Sequence, residues 1–121
     1  MSERAVNLLG KFDAISQQWS PRVIAEMNDY QFKLVRIQGD FIWHEHPDTD
    51  EAFLVLEGRL RIDFEDGGVE LGCGELYVVA KGRRHKPSAT EEAKVLLIEP
   101  RGVLNTGGEG GPRTAQNDVW V

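Results

Sequence analysis

The sharpest pattern in the chain lies in "RLRIDF", residues 59–64, where Leu60, Ile62 and Phe64 alternate with Arg59, Arg61 and Asp63. Successive side chains of a strand point to opposite faces, so this stretch offers one face to a core and one to water. "EAFLVL" at 51–56 is instead apolar on both faces, as a strand covered on both sides would be. Runs of the same extended character recur along the chain. "RVIAEM" ends at Asn28-Asp29, "YQFKLVRI" at Gly39-Asp40 and "FIWHEH" at Pro47; after Asp66-Gly67-Gly68 come "VEL", "LYVVA", a stretch around His85, and "KVLLIE" before Pro100. Runs of about six residues divided by turn residues, with no helical period between them, predict an all-β antiparallel sandwich or barrel. The N-terminal part differs. Leu8, Leu9, Phe12, Ile15 and Trp19 fall at helical spacing, so a short amphipathic helix is expected within residues 6–19, weakened by Gly10.

Length and charge narrow the class. The 121 residues make one domain, 1–121, with no room for a second that could close over a substrate. With 14 basic and 20 acidic residues the net charge is −6, which repels a polyanion, so no nucleic-acid partner is expected. "MSERAVNLLGKF" lacks the apolar core of a signal peptide, and no apolar run reaches membrane-spanning length. A cytoplasmic protein without a membrane partner is the expectation. Cys73 stands alone, which excludes an internal disulfide, and "GCG" reads as a tight turn. The glycine-rich "NTGGEGG" reads as a flexible connection to a short C-terminal segment.

The chemistry concentrates in "WHEHPDTDEAF", residues 43–53. In an extended chain His44 and His46 project from one face and Glu45 from the other. The chain then bends, with Asp48 and Asp50 as turn-formers, and Glu51 opens the next strand on the same face as Phe53 and Val55. An unpaired carboxylate among apolar side chains is costly, so Glu51 needs a reason. Two imidazoles and a carboxylate that converge are a common start to a divalent metal site. A fourth ligand must come from elsewhere, and His85 is the one histidine left. Tyr77, in the strand before His85, and Arg36 are the candidate catalytic residues. One parity of "YQFKLVRI" must face inward, which would bring either Arg36 or Lys33 into the interior.

These residues resemble the two motifs of the cupins. The first motif is a glycine, His-x-His, a glutamate shortly after, then six residues and a glycine; Gly39, His44, His46, Glu51 and Gly58 fill it. The second is matched by Gly74, by Ala80-Lys81-Gly82 in place of Pro-x-Gly, and by His85. Motif 1 thus spans 39–58 and motif 2 spans 74–89. The chain departs from the pattern at Gly39, one residue nearer His44 than usual, at Ala80, and at Ala89 where an asparagine is usual. No ligand position is affected, and all three histidines fall in the three required slots.

The resemblance implies a double-stranded β-helix (jelly-roll) barrel with a short N-terminal helix. It also implies a divalent ion (iron, manganese, nickel, cobalt, copper or zinc) held by His44, His46, Glu51 and His85. More narrowly, the chain is similar to small single-domain cupins often labelled mannose-6-phosphate isomerase-like, a label that rests on fold. A metal-dependent enzyme with dioxygenase, isomerase or lyase chemistry on a small molecule is implied, as a homodimer. The alternative is a non-catalytic ligand-binding or sensing cupin with a structural metal. Lys81, Arg83, Arg84 and Lys86 surround His85. If they rim the barrel the substrate would be anionic; otherwise they form a solvated turn.

Overall fold

The computed structural model describes residues 4–112 and 114–121. Seven strands follow a short N-terminal turn: β1 (Arg22–Met27), β2 (Tyr30–Asp40), β3 (Glu51–Glu57), β4 (Leu60–Phe64), β5 (Gly67–Leu71), β6 (Leu76–Val79) and β7 (His85–Pro100). All pairings between them are antiparallel. The main order is β1-β2-β7-β3-β6, with β4 lying between β5 and the first part of β7. β7 changes partners along its length. His85–Ser88 pair with β4, while Ala93–Pro100 run between β2 and β3, and the register shifts where the Ile37–Ala93 pair gives way to Gly39–Ala89. The stretch around His85 and "KVLLIE" are therefore one 16-residue strand of the jelly-roll barrel, paired with β4 near its start and with β2 and β3 beyond it.

Two other expectations change. "FIWHEH" forms no ladder; only His44 bridges, to His85. The helix expected over 6–19 shrinks to α1 (Leu8–Lys11) and a 3₁₀ turn at Phe12–Ala14. Asn7 caps α1 by accepting the Gly10 N–H at 3.0 Å. A longer helix would bond its own carbonyls. Here the Phe12 and Ile15 carbonyls instead accept from the Arg36 guanidinium, and both side chains are driven into the protein.

The barrel core is built from one parity of each strand: Val35 and Ile37, Phe53 and Val55, Leu60, Ile62 and Phe64, Val95 and Leu97. The opposite parity of β1, β2, β3 and β7 is covered too. Ile24, Leu34 and Leu96 pack with Phe12 and Ile15 from the N-terminal segment, against half-buried Leu54 and Leu56. That second layer explains why "EAFLVL" is apolar on both faces, and burying Phe12 alone contributes about 1.5–3 kcal/mol. At the β3–β4 turn, Gly58 has φ +86°, and a Cβ there would sit 2.7 Å from the Glu92 carbonyl oxygen. Only glycine fits.

The C-terminal segment is no loose connection. Thr106 is fully buried, with its hydroxyl 2.7 Å from that of Thr114. Asn105 donates to the Trp19 carbonyl and accepts from the Ala115 N–H. Further on, Val23 and Val121 exchange backbone bonds with this end of the chain, Val23 N–H to Val119 O and Val121 N–H to Val23 O. Among the described residues no helix is long and apolar enough to cross a membrane.

Candidate metal centre

The topology brings four distant side chains together. His44 and His46 come from the segment before β3, Glu51 opens β3, and His85 opens β7. Their alternation survives without a ladder: His44 and His46 are buried, and Glu45 between them is half-buried. All four candidate ligands are at most 5% exposed, and one ligand atom from each lies within 4.8 Å of the others. No other part of the interior concentrates nitrogen and oxygen donors in this way among the described residues.

Backbone carbonyls orient two of the imidazoles. His44 Nδ1 lies 2.9 Å from the Ile42 oxygen, and His85 Nδ1 lies 2.9 Å from the Arg83 oxygen. A carbonyl can only accept, so each Nδ1 carries the proton and each Nε2 presents a lone pair. The His85 Nε2 faces Glu51 Oε1 at 3.6 Å, and the His46 Nε2 faces the same oxygen at 3.3 Å. Of the five buried side-chain atoms without a hydrogen-bond partner among the described residues, three are ligand atoms (His46 Nε2, His85 Nε2 and Glu51 Oε1), and the others are Gln31 Oε1 and Glu99 Oε1. The lone pairs of His85 Nε2 and Glu51 Oε1 are thus buried and face each other, which is unfavourable unless a cation stands between them. The residues therefore fit a divalent metal, and the group can hold one.

The protonation states agree. Burial, and then the proximity of His85, pull His44 down to about 4, so its imidazole is neutral at neutral pH, as a ligand must be. Burial works against ionisation of Glu51, but the facing His46, His85 and Glu99 outweigh it and hold its carboxyl well below the usual range. Glu99 moves the other way. Burial, and next the charge of Glu51, push it well above the carboxylate range.

A cavity of about 30 Å³ adjoins the cluster, with His44 and Glu51 on one side and Trp19, Phe41, Phe53 and Leu97 among its apolar walls. That is room for a water molecule or two. Trp19 and Phe41 stack with ring centroids 4.6 Å apart, and Asn105 of the C-terminal segment completes the lining.

The candidate catalytic residues lie elsewhere. Arg36 has the parity that faces out of the barrel, where it bonds the Phe12 and Ile15 carbonyls and pairs with Glu92 at 2.9 Å. Lys33 is the inward residue of that strand, 3% exposed. Tyr77 faces inward opposite Phe53 but does not line the cavity; its hydroxyl accepts from Arg83 at 2.8 Å, and its ring lies 5.7 Å from that of Phe64. Three of the four cations around His85 have acidic partners: Arg83 with Asp66, Arg84 with Glu109 and Lys86 with Asp40, at 3.3–3.7 Å. Asp50, expected to form the local bend, instead accepts from the Lys81 N–H of the distant β6–β7 turn at 2.9 Å.

One residue of the site went unread in the sequence. Glu99, 1% exposed, touches Glu51 and holds Lys33 Nζ at 2.7 Å. The signal was present, because Glu99 has the same parity as Val95 and Leu97 and is thus as anomalous as Glu51.

The comparisons with known proteins agree with this fold. A cupin domain model matches residues 33–99. The uncharacterized protein YdbB of Bacillus subtilis (strain 168) is 34% identical over 94 residues, 77% of this chain and 83% of that protein. A solved cupin-2 domain containing protein from Shewanella frigidimarina is 59% identical with a TM-score of 0.79, over 80% of this chain and 95% of that one. A protein from Neisseria meningitidis is 34% identical with a TM-score of 0.74, over 80% of this chain and 99% of that one.

Proposed function

The chain belongs to the cupin family, and from that premise we propose that it is a metal-dependent enzyme acting on a small molecule, with one divalent ion held by His44, His46, Glu51 and His85. The observation that carries this reading is the set of buried, unpartnered Nε2 and Oε1 atoms turned toward one another beside a cavity. A bound ion of iron, manganese, nickel, cobalt, copper or zinc would supply Lewis-acid polarisation or, if redox-active, dioxygen chemistry. The chain's own contribution is positional. Ile42 and Arg83 carbonyls fix two imidazoles, and Phe53, Phe41 and Trp19 keep bulk water from the cluster. Four protein ligands would leave coordination positions for water or substrate on a six-coordinate ion, and a cavity lined by His44 and Glu51 adjoins the cluster.

The small volume of that cavity favours a second reading, a non-catalytic ligand-binding or sensing cupin whose metal is structural. The two separate on solvent access. Metal content should first be measured by elemental analysis on protein purified without a metal-affinity step. The Mn²⁺-loaded protein should then enhance water-proton relaxation, and oxygen uptake or turnover should follow with small-molecule candidates. Metal bound without any exchangeable water would sink the enzyme reading and leave the structural one. Protein that takes up no metal under any loading condition would overturn both.

A further inference from the structure

The barrel interior holds a line of charge that the four ligands do not account for. Lys33, Glu99 and Glu51 sit on three adjacent strands, β2, β7 and β3, all with inward parity. The β3–β7 register pairs Phe53 with Leu97 and Ala52 with Ile98, so the next step sets Glu51 beside Glu99. Two carboxyls placed side by side across strands repel, and burial makes this arrangement costlier. Apolar side chains at positions 33 and 99 would serve the core as well or better. The arrangement therefore calls for a reason other than packing.

We infer that Glu99 is a positioning residue of the metal centre: gripped by Lys33, it holds the Glu51 carboxyl in the orientation that aims Oε1 at the imidazoles. The assignment rests on the metal-binding reading above. Lys33 is itself immobilised, because its three donors are taken by Glu99 Oε2 at 2.7 Å, the Val103 carbonyl at 3.3 Å and Asn117 Oδ1 at 3.4 Å. Two of those acceptors belong to the C-terminal segment, so that segment reaches the ligand cluster through Lys33 and Glu99. Glu51 needs such a brace. It is shared between His46 and His85 at 3.3 and 3.6 Å, and rotation about its side-chain bonds would lose both contacts. Groups that orient a ligand without touching the metal commonly set affinity within a factor of about 10–100.

The test uses Co²⁺ as the probe, because its visible d–d absorption reports the ligand geometry directly. Wild-type protein should bind one equivalent with a saturable spectrum. Glu99→Leu should weaken Co²⁺ binding by about 10–100-fold and change the shape of the spectrum, whereas Glu99→Gln, which keeps a polar group of the same shape beside Glu51, should restore most of both. Lys33→Met should shift affinity in the same direction as Glu99→Leu, and it carries the test if the leucine variant does not fold. Unchanged Co²⁺ affinity and spectrum in either Glu99→Leu or Lys33→Met would overturn the positioning role while leaving the metal site intact. Absence of any Co²⁺ spectrum in the wild type would overturn the metal reading and the brace together.

Discussion

His44 and His85 are bound to each other through their backbones: each donates its N–H to the other's carbonyl, at 3.0 and 2.9 Å, and their rings stand 4.3 Å apart. A pair of ligands separated so far in sequence is thereby fixed before any ion arrives. This bridge, together with the Phe41 N–H on the Pro87 carbonyl and the Gly82 N–H on the His46 carbonyl, stands in for the full strand that "FIWHEH" promised, and the alternation of side chains on either side of Glu45 is kept.

That alternation can be tested with two substitutions. His46→Ala should reduce bound divalent metal by at least about tenfold, because a ligand matters no less than the groups that orient ligands. Glu45→Ala should leave metal content within error of wild type, since its side chain points away from the cluster. Elemental analysis of both proteins after identical loading decides the matter. Equal losses would refute the geometry.

Metal removal should lower stability. An ion that binds only the folded state adds about 2.7 kcal/mol at a hundredfold excess over its dissociation constant. For a domain of this size that corresponds to a Tm difference of about 10 °C. Differential scanning calorimetry with and without a chelator measures it, and coincident melting curves would show an ion that contributes nothing to folding.

The metal-free protein should respond to acid in an unusual way. His44 titrates near 6.5 when unfolded and about 4 when folded, so the stability it contributes is present above 6.5 and lost as pH falls toward 4. Glu51, depressed from 4.5, loses its contribution as pH falls below that value. Glu99, raised above 4.5, has the opposite sign, and its contribution is lost as pH rises. Between 4.5 and 6.5 the slope of Glu99 opposes that of His44 and makes the rise of stability with pH shallower, and below 4.5 stability should fall. Glu99→Gln should remove one of the opposing slopes. Denaturant titrations of that variant should then show stability climbing by about 1.4 kcal/mol per pH unit across the same interval. A flat profile in the variant would refute this balance.

Gly58→Ala should destabilise the protein by about 1–3 kcal/mol, since it combines a left-handed backbone with a methyl group against the Glu92 carbonyl. Urea midpoints give the comparison, and a change under half a kcal/mol would mean that the β3–β4 turn relaxes freely.

Much of this protein was legible in its residues, for identifiable reasons. Strand alternation at Leu60, Ile62 and Phe64 is a local property, and it matches β4. The ligand set could be read because two of its members lie two residues apart and the histidine supply ends with His85. What could not be read depends on register. Glu99 becomes part of the site only because β7 slots between β2 and β3 with Leu97 beside Phe53. Arg36 and Lys33 are equivalent in composition, and only packing of Phe12 and Ile15 on the outer face decides which one turns inward. "NTGGEGG" has the composition of a linker, yet Gly107 fits so closely on the Glu45 carbonyl that any side chain would collide with it. Glycine there reflects contact, which composition does not distinguish from flexibility.

The path of β7 has a consequence for how the chain is made. β1 with β2 and β4 with β5 are neighbours in sequence and can pair as they leave the ribosome. Every other sheet contact of β2, and one side of both β3 and β4, waits for β7, whose final residue is Pro100. At about 5–20 residues per second, a nascent chain spends several seconds with open, apolar strand edges before the element that closes them emerges. How long those edges stay open is thus set by strand order, and the last third of the message governs when the strands of the first two thirds are covered.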